Sequence, residues 1–99
     1  MNRADVIAKL KSAEPKLRAH GVAALYLFGS YSRGEASPDS DVDVFVDKAR
    51  GRPFGFDELM GSYEALRHFL PGIEVGFGTR EGLSPYVRSE VEREAIRIF

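Results

Sequence analysis

The chain has 99 residues and a mass of 11.0 kDa, enough for one hydrophobic core and too little for a second, substrate-gripping domain; residues 1–99 are expected to form a single domain. Leu, Ile, Val and Phe supply 27 of the 99 residues, which favours a folded chain, while 14 basic and 15 acidic residues leave a net charge of −1, excluding bulk attraction to a phosphate backbone or an anionic membrane. Cysteine is absent and the longest apolar run is the seven residues Val22 to Phe28, so disulfides, thiolate metal sites and a membrane span of ~18 residues are excluded, and a soluble cytoplasmic protein is the expectation.

Along the first twenty residues Val6, Ile7, Leu10, Ala13 and Leu17 fall on one side of a helix ending near Gly21. Pro15 lacks an amide donor and clashes with the preceding turn, which predicts a kink or two short helices. Val22 to Phe28, closed by Gly29, reads as a buried strand. A polar loop spans Gly29 to Ser40. Asp41 to Asp47 reads as a second strand, with Val42, Val44 and Val46 on one face and Asp41, Asp43 and Phe45 on the other. After a loop from Lys48 to Gly55, the spacing of Leu59, Tyr63, Leu66 and Leu70 predicts a helix that stops before Pro71-Gly72. Ile73, Val75 and Phe77 alternate with Glu74, Gly76 and Gly78, giving a third strand with a small-residue face. Thr79 or Ser84 would cap a last helix whose apolar side is Tyr86, Val87, Val91 and Ala95, and Ile96 to Phe99 would pack or add a short strand. This order implies an α/β or α+β fold, a small sheet covered by helices.

Chemistry concentrates in Gly29-Ser30-Tyr31-Ser32-Arg33-Gly34 and Ser40-Asp41-Val42-Asp43. Asp41 and Asp43 leave the same strand face roughly 6.6–7 Å apart along the backbone, close enough to share cations. Oxygen-only ligands of this kind suit Mg²⁺, which keeps several waters and is held by one or two carboxylates together with substrate phosphates. Gly29-Ser30, at the end of the preceding strand, lets amides and a hydroxyl approach a phosphate, and the planar fork of Arg33 matches phosphate oxygens.

Gly-Ser, ten intervening residues and Asp-x-Asp resemble the signature of the DNA polymerase beta-like nucleotidyltransferase superfamily. More narrowly, Leu27 to Gly34 followed by Ser40 to Val44 resembles the minimal nucleotidyltransferases, the small antitoxin-like partners of HEPN-domain toxins, and in order and length the resemblance covers nearly the whole chain. It implies a mixed-sheet core flanked by helices, two Mg²⁺ ions, ATP as donor, and attack of an acceptor hydroxyl on the α-phosphate with release of pyrophosphate. Gly29 and Ser30 would then hold donor phosphates, with Arg33 a further candidate, and Asp41 and Asp43 would ligate metal. The third strand carboxylate of the superfamily, usually Asp, aligns only with Glu74, which keeps the charge but adds a methylene. That departure leaves open whether Glu74 serves as the third metal ligand and catalytic group or is a solvent-facing residue on an edge strand.

Other motif readings fail on spacing. A calcium loop starting at Asp39 has Val44 and Arg50 where Gly and Glu belong. Gly29-x4-Gly34 is followed by Glu35-Ala36 instead of the Lys-Ser/Thr of a P-loop, and Gly76-Phe77-Gly78 has Glu81 at the third glycine of a dinucleotide fingerprint. His20 and His68 have no partner at metal spacing. Arg50, Arg52, Arg80, Arg88, Arg93 and Arg97 are scattered among acids and read as surface or interface charge, so no direct nucleic-acid binding is expected. Tyr31 suits either stacking on a base or packing. With no domain left to grip an acceptor, the acceptor is expected to be a separate protein in a hetero-oligomer: by the resemblance, a HEPN toxin modified on a tyrosine. The competing reading is an antitoxin with weak or no catalysis that neutralises its partner by binding alone, and a third is nucleotidylation of a small molecule.

Overall fold

The computed structural model describes residues 1–99. Four strands, β1 (Val22–Phe28), β2 (Val42–Lys48), β3 (Val75–Thr79) and β4 (Ile96–Arg97), form one sheet in the order β3-β2-β1-β4. β1 runs antiparallel to β2 and β4, whereas β2 and β3 are parallel. A parallel pair needs a crossover, and helix α4 (Phe56–Phe69) supplies it. The fold is thus a mixed α+β sheet flanked by helices.

Pro15 acts as its chemistry predicts. Helices α1 (Arg3–Ser12) and α2 (Glu14–Ala19) are separated at Ala13, and Pro15 sits in the first turn of α2, where its missing amide leaves no bond unmade. Asn2 and Asp5 close a reciprocal capping box at the start of α1. Val6, Leu10, Ala13 and Leu17 are fully buried against Leu25 and Leu27 of β1, Val42, Val44 and Val46 of β2, and Leu66 and Leu70. Burial of each Val or Leu among them contributes ~1.5–3 kcal/mol, and this face of the sheet holds the main core cluster.

Period-2 alternation sends the neighbouring residues to the other face: Tyr26 and Phe28 from β1, Asp43, Phe45 and Asp47 from β2, Gly76 and Gly78 from β3. Tyr26 stacks on Phe45 with ring centroids 4.8 Å apart. Arg80, in a 3-10 turn (Arg80–Gly82) after β3, lies 4.9 Å from both ring centroids. Its guanidinium donates to Asp47 at 2.7 and 3.0 Å and to Glu92 of helix α5 (Arg88–Glu94). Arg80 is therefore a half-buried clamp holding α5 over the sheet, not the surface charge its sequence context suggests. Paired with it, Asp47 is held below the usual carboxylate range, chiefly by the hydrogen bonds from Arg80.

Several boundaries differ from the sequence expectation. β2 begins at Val42, one residue later than expected, and β3 at Val75 instead of Ile73. The loop after Gly29 contains a four-residue helix, α3 (Ser30–Arg33). α5 starts at Arg88, so Tyr86 precedes it and is 95% exposed instead of packing on an apolar side. Thr79 caps the 3-10 turn by accepting from the Gly82 amide at 3.2 Å, not the last helix. No helix is long and apolar enough to cross a membrane.

Candidate active site

The end of β1, α3, the start of β2 and α5 surround a cavity of about 540 Å³. Gly29, Ser30, Arg33, Asp41 and Asp43 all line it, so five of the six residues singled out in the sequence are brought together. The turn depends on Gly29, whose φ of +75° and ψ of −152° place it where a side chain is strained. That conformation swings the chain from β1 into α3 beside the carboxylates.

Asp43 is enclosed by two glycines. A Cβ at Gly29 would lie 2.6 Å from Asp43 Oδ2, and one at Gly76 would overlap Asp43 Oδ1. Gly76 is level with Asp43 in the parallel register. The small-residue face of β3 therefore continues the β1 turn as a cradle for this carboxylate. Loss of hydration there pushes the Asp43 carboxyl above its ordinary pKa, the charge of Asp41 adds to the shift, and Arg33 opposes it.

Arg33 lines the cavity but is engaged within the chain: its guanidinium pairs with Glu35 and, at 3.3 Å, with Glu94 of α5. These hydrogen bonds, Glu35 first, raise its pKa. Glu90 and Glu94 of α5 also line the cavity. They went unnoticed in the sequence because only the long-range docking of α5 brings them there.

Glu74 stands elsewhere. It is exposed and precedes β3, its carbonyl accepting from the Val42 amide at 2.9 Å. It lines a second cavity, of about 400 Å³, together with Asp39, Ser40 and Asp41. Asp41 and Ser40 belong to both cavities and form their common wall. No cluster of three metal-ligating side chains is present, so Asp41, Asp43 and Glu74 do not converge as a ready-made triad. Tyr31 is buried in the core at 3% exposure, which settles packing over base stacking. His20 packs on Gly61 and His68 lies edge-on to Phe69.

The donor set fits a hard divalent cation. Asp41 and Asp43 offer only oxygen atoms and line one cavity, and the loss of hydration that raises the Asp43 pKa, compounded by the charge of Asp41, marks a pair of carboxylates that a divalent cation would relieve.

A mixed sheet with a Gly-Ser turn facing an Asp-x-Asp strand is the architecture of nucleotidyl transfer, and residues 7–98 match the model of the nucleotidyltransferase domain. The chain belongs to the nucleotidyltransferase family. Among its relatives is the protein adenylyltransferase MntA of Thermococcus cleftensis, 35% identical over 98 residues that cover 90% of this chain and 95% of MntA. A solved structure assigned to a minimal nucleotidyltransferase superposes with a TM-score of 0.78 at 33% identity, covering 97% of this chain and 95% of that one. A toxin-antitoxin structure solved with AMP-PNP shares the fold at a TM-score of 0.64 and 22% identity, covering 100% of this chain and 73% of the other.

Proposed function

We propose that the protein is a Mg²⁺-dependent protein adenylyltransferase that moves AMP from ATP to a hydroxyl of a partner toxin and thereby acts as its antitoxin. The observation that carries this reading is the cradled Asp43 beside Asp41, facing Gly29 and Ser30 across one cavity. The kinship with MntA supports the protein acceptor. By the resemblance in sequence, the partner is a HEPN toxin and the acceptor a tyrosine.

In this reading the larger cavity takes the donor and the smaller one the acceptor, with Asp41 on the wall between. Ser30 and neighbouring amides donate to the phosphates, and Arg33 exchanges Glu94 for a phosphate oxygen. Asp41 and Asp43, with Glu74 as a third candidate, would hold Mg²⁺, which supplies charge neutralisation for the α-phosphate and the departing pyrophosphate. The acceptor oxygen forms a bond to the α-phosphorus as the bridging bond to the β-phosphate breaks. Pyrophosphate leaves with that electron pair. Glu74, which shares the smaller cavity with Asp41, would take the hydroxyl proton.

A comparison of α-labelled with γ-labelled ATP in the presence of Mg²⁺ and partner tests the reaction type. Label reaching the partner only from the α position is expected; label from the γ position would make the protein a kinase instead. A second reading, an antitoxin that acts by occlusion, is favoured by the separation of Glu74 from Asp43. It requires stable partner binding with no nucleotide consumed.

A further inference from the structure

The two edges of the sheet differ. β4 is two residues long, whereas β3 runs five residues, Val75-Gly76-Phe77-Gly78-Thr79, in unbroken register with β2. The Val42 amide donates to the Glu74 carbonyl, so the parallel ladder engages the backbone of the even-numbered residues and turns the N–H and C=O of Val75, Phe77 and Thr79 away from β2. β3 pairs with no strand but β2, and no backbone hydrogen bond from a turn or loop reaches those outward groups. Edge strands are ordinarily guarded by a charge, a proline or a bulge. β3 carries none of the three.

The strand is complementary to itself. An antiparallel copy centred on Phe77 sets Phe77 opposite Phe77, Gly76 opposite Gly78, and Val75 opposite Thr79, two β-branched residues. In that register the outward groups of Val75, Phe77 and Thr79 meet one another in about six hydrogen bonds. The two-fold axis stands perpendicular to the sheet and reverses any element lying along it. Helix α4 is such an element beside the axis: Tyr63, at its middle, packs on Phe77 with ring centroids 6.3 Å apart, and Arg67 lies over Tyr63 at 5.8 Å. Its first turn carries Asp57 and Glu58 and its last turn Arg67 and His68. The axis therefore sets the acidic end of one α4 towards the basic end of the other, with their dipoles opposed. We infer that β3 is the seam of a symmetric dimer, in which a second copy of this chain doubles the four-stranded sheet and keeps both Asp43 faces on the same side. The seam is independent of the reaction proposed above.

Sedimentation of the purified chain over a concentration series tests the seam. So short a seam buries less than the ~1,200–2,000 Å² of a stable complex, which sets dimerisation at roughly 0.1–1 mM chain. Across that range the mass of wild type should rise from 11.0 kDa towards twice that value. Thr79→Pro removes an outward N–H that β2 does not use, at a position whose φ of −91° is close to that of proline, and should weaken dimerisation by ~10-fold or more. Thr79→Val, which loses the hydroxyl that caps Gly82 but keeps the N–H, should dimerise like wild type. In Phe77→Cys, made in a chain without cysteine, the two thiols face each other across the axis at a Cα spacing of ~5.5 Å, within the span of a disulfide, so mild oxidation should yield a covalent dimer. A mass that stays at 11.0 kDa throughout, a mass that grows past two copies, or a dimer that Thr79→Pro leaves intact overturns the seam. If circular dichroism finds Thr79→Pro unfolded, Phe77→Cys decides, and the absence of a covalent dimer counts against the seam.

Discussion

Gly76→Ala separates the cradle around Asp43 from the stability of the fold. Gly76 lies in β3 outside the positive-φ region, so alanine fits the backbone and lowers the entropy cost of ordering the strand, a gain of ~0.5–1 kcal/mol. The added methyl overlaps Asp43 Oδ1. That oxygen ends a side chain that can turn about its bonds, so the fold accommodates the change, but the carboxylate has to move by more than the ~0.5 Å to which a catalytic group is normally held. Retreat towards Gly29 is short, because that glycine closes the other side of the carboxylate. A displacement approaching 1 Å lowers turnover by ~100-fold, equivalent to ~2.7 kcal/mol of transition-state stabilisation. Denaturant unfolding and AMP transfer to partner, measured on the same preparation, give the two numbers. Wild-type turnover in Gly76→Ala would refute the cradle. A loss of fold in step with activity would show that the glycine serves the architecture alone.

Other substitutions probe neighbouring parts of the account. Asp43→Asn, assayed without divalent metal, should be somewhat more stable than wild type at pH 7. The folded state raises the Asp43 pKa, so its charge opposes folding once pH rises through the unfolded and then the folded value, and the amide removes that opposition; transfer activity should vanish. Greater stability of wild type would contradict the burial argument. Glu74→Gln should leave ATP affinity near wild type and lower turnover by roughly 10²–10⁴-fold if Glu74 takes the acceptor proton, whereas unchanged turnover would return Glu74 to an edge-strand surface role. Arg80→Ala removes the clamp on Asp47, Glu92, Tyr26 and Phe45 and should cost ~1–3 kcal/mol by chemical denaturation at pH 7. Because Asp47 is depressed in the fold, its contribution is complete above the unfolded value of ~3.9 and is lost as pH falls through the lower native value. Wild type should therefore lose more stability than Arg80→Ala below about pH 4; parallel pH curves would refute the pairing.

Local signals in the sequence carried the fold a long way. The buried strand Val22 to Phe28, bounded by glycines, matches β1 end to end, and Pro15 divides the first helical region as its missing donor requires. The Gly-Ser and Asp-x-Asp segments were legible as facing groups because each sits at a strand end. What depends on register was not legible. That Gly76 makes room for Asp43 follows only from the parallel pairing of β2 with β3, and Glu74 is level with Asp41, not Asp43, for the same reason. Arg80 looked like one arginine among many until the packing of α5 against the sheet gave it Asp47, Glu92 and two aromatic faces. Tyr86, apolar in pattern, is exposed because the last helix begins two residues beyond it.

The central claim is that Asp41 and Asp43 perform AMP transfer to a partner protein, and intact-protein mass spectrometry of the co-purified partner tests it most directly. Incubation with ATP and Mg²⁺ should raise the partner's mass by a whole number of AMP groups with wild type and by none with the Asp41→Asn/Asp43→Asn pair. A partner whose mass stays the same with wild type, while it remains bound to wild type and variant alike, would contradict the claim and leave an antitoxin that works by occlusion.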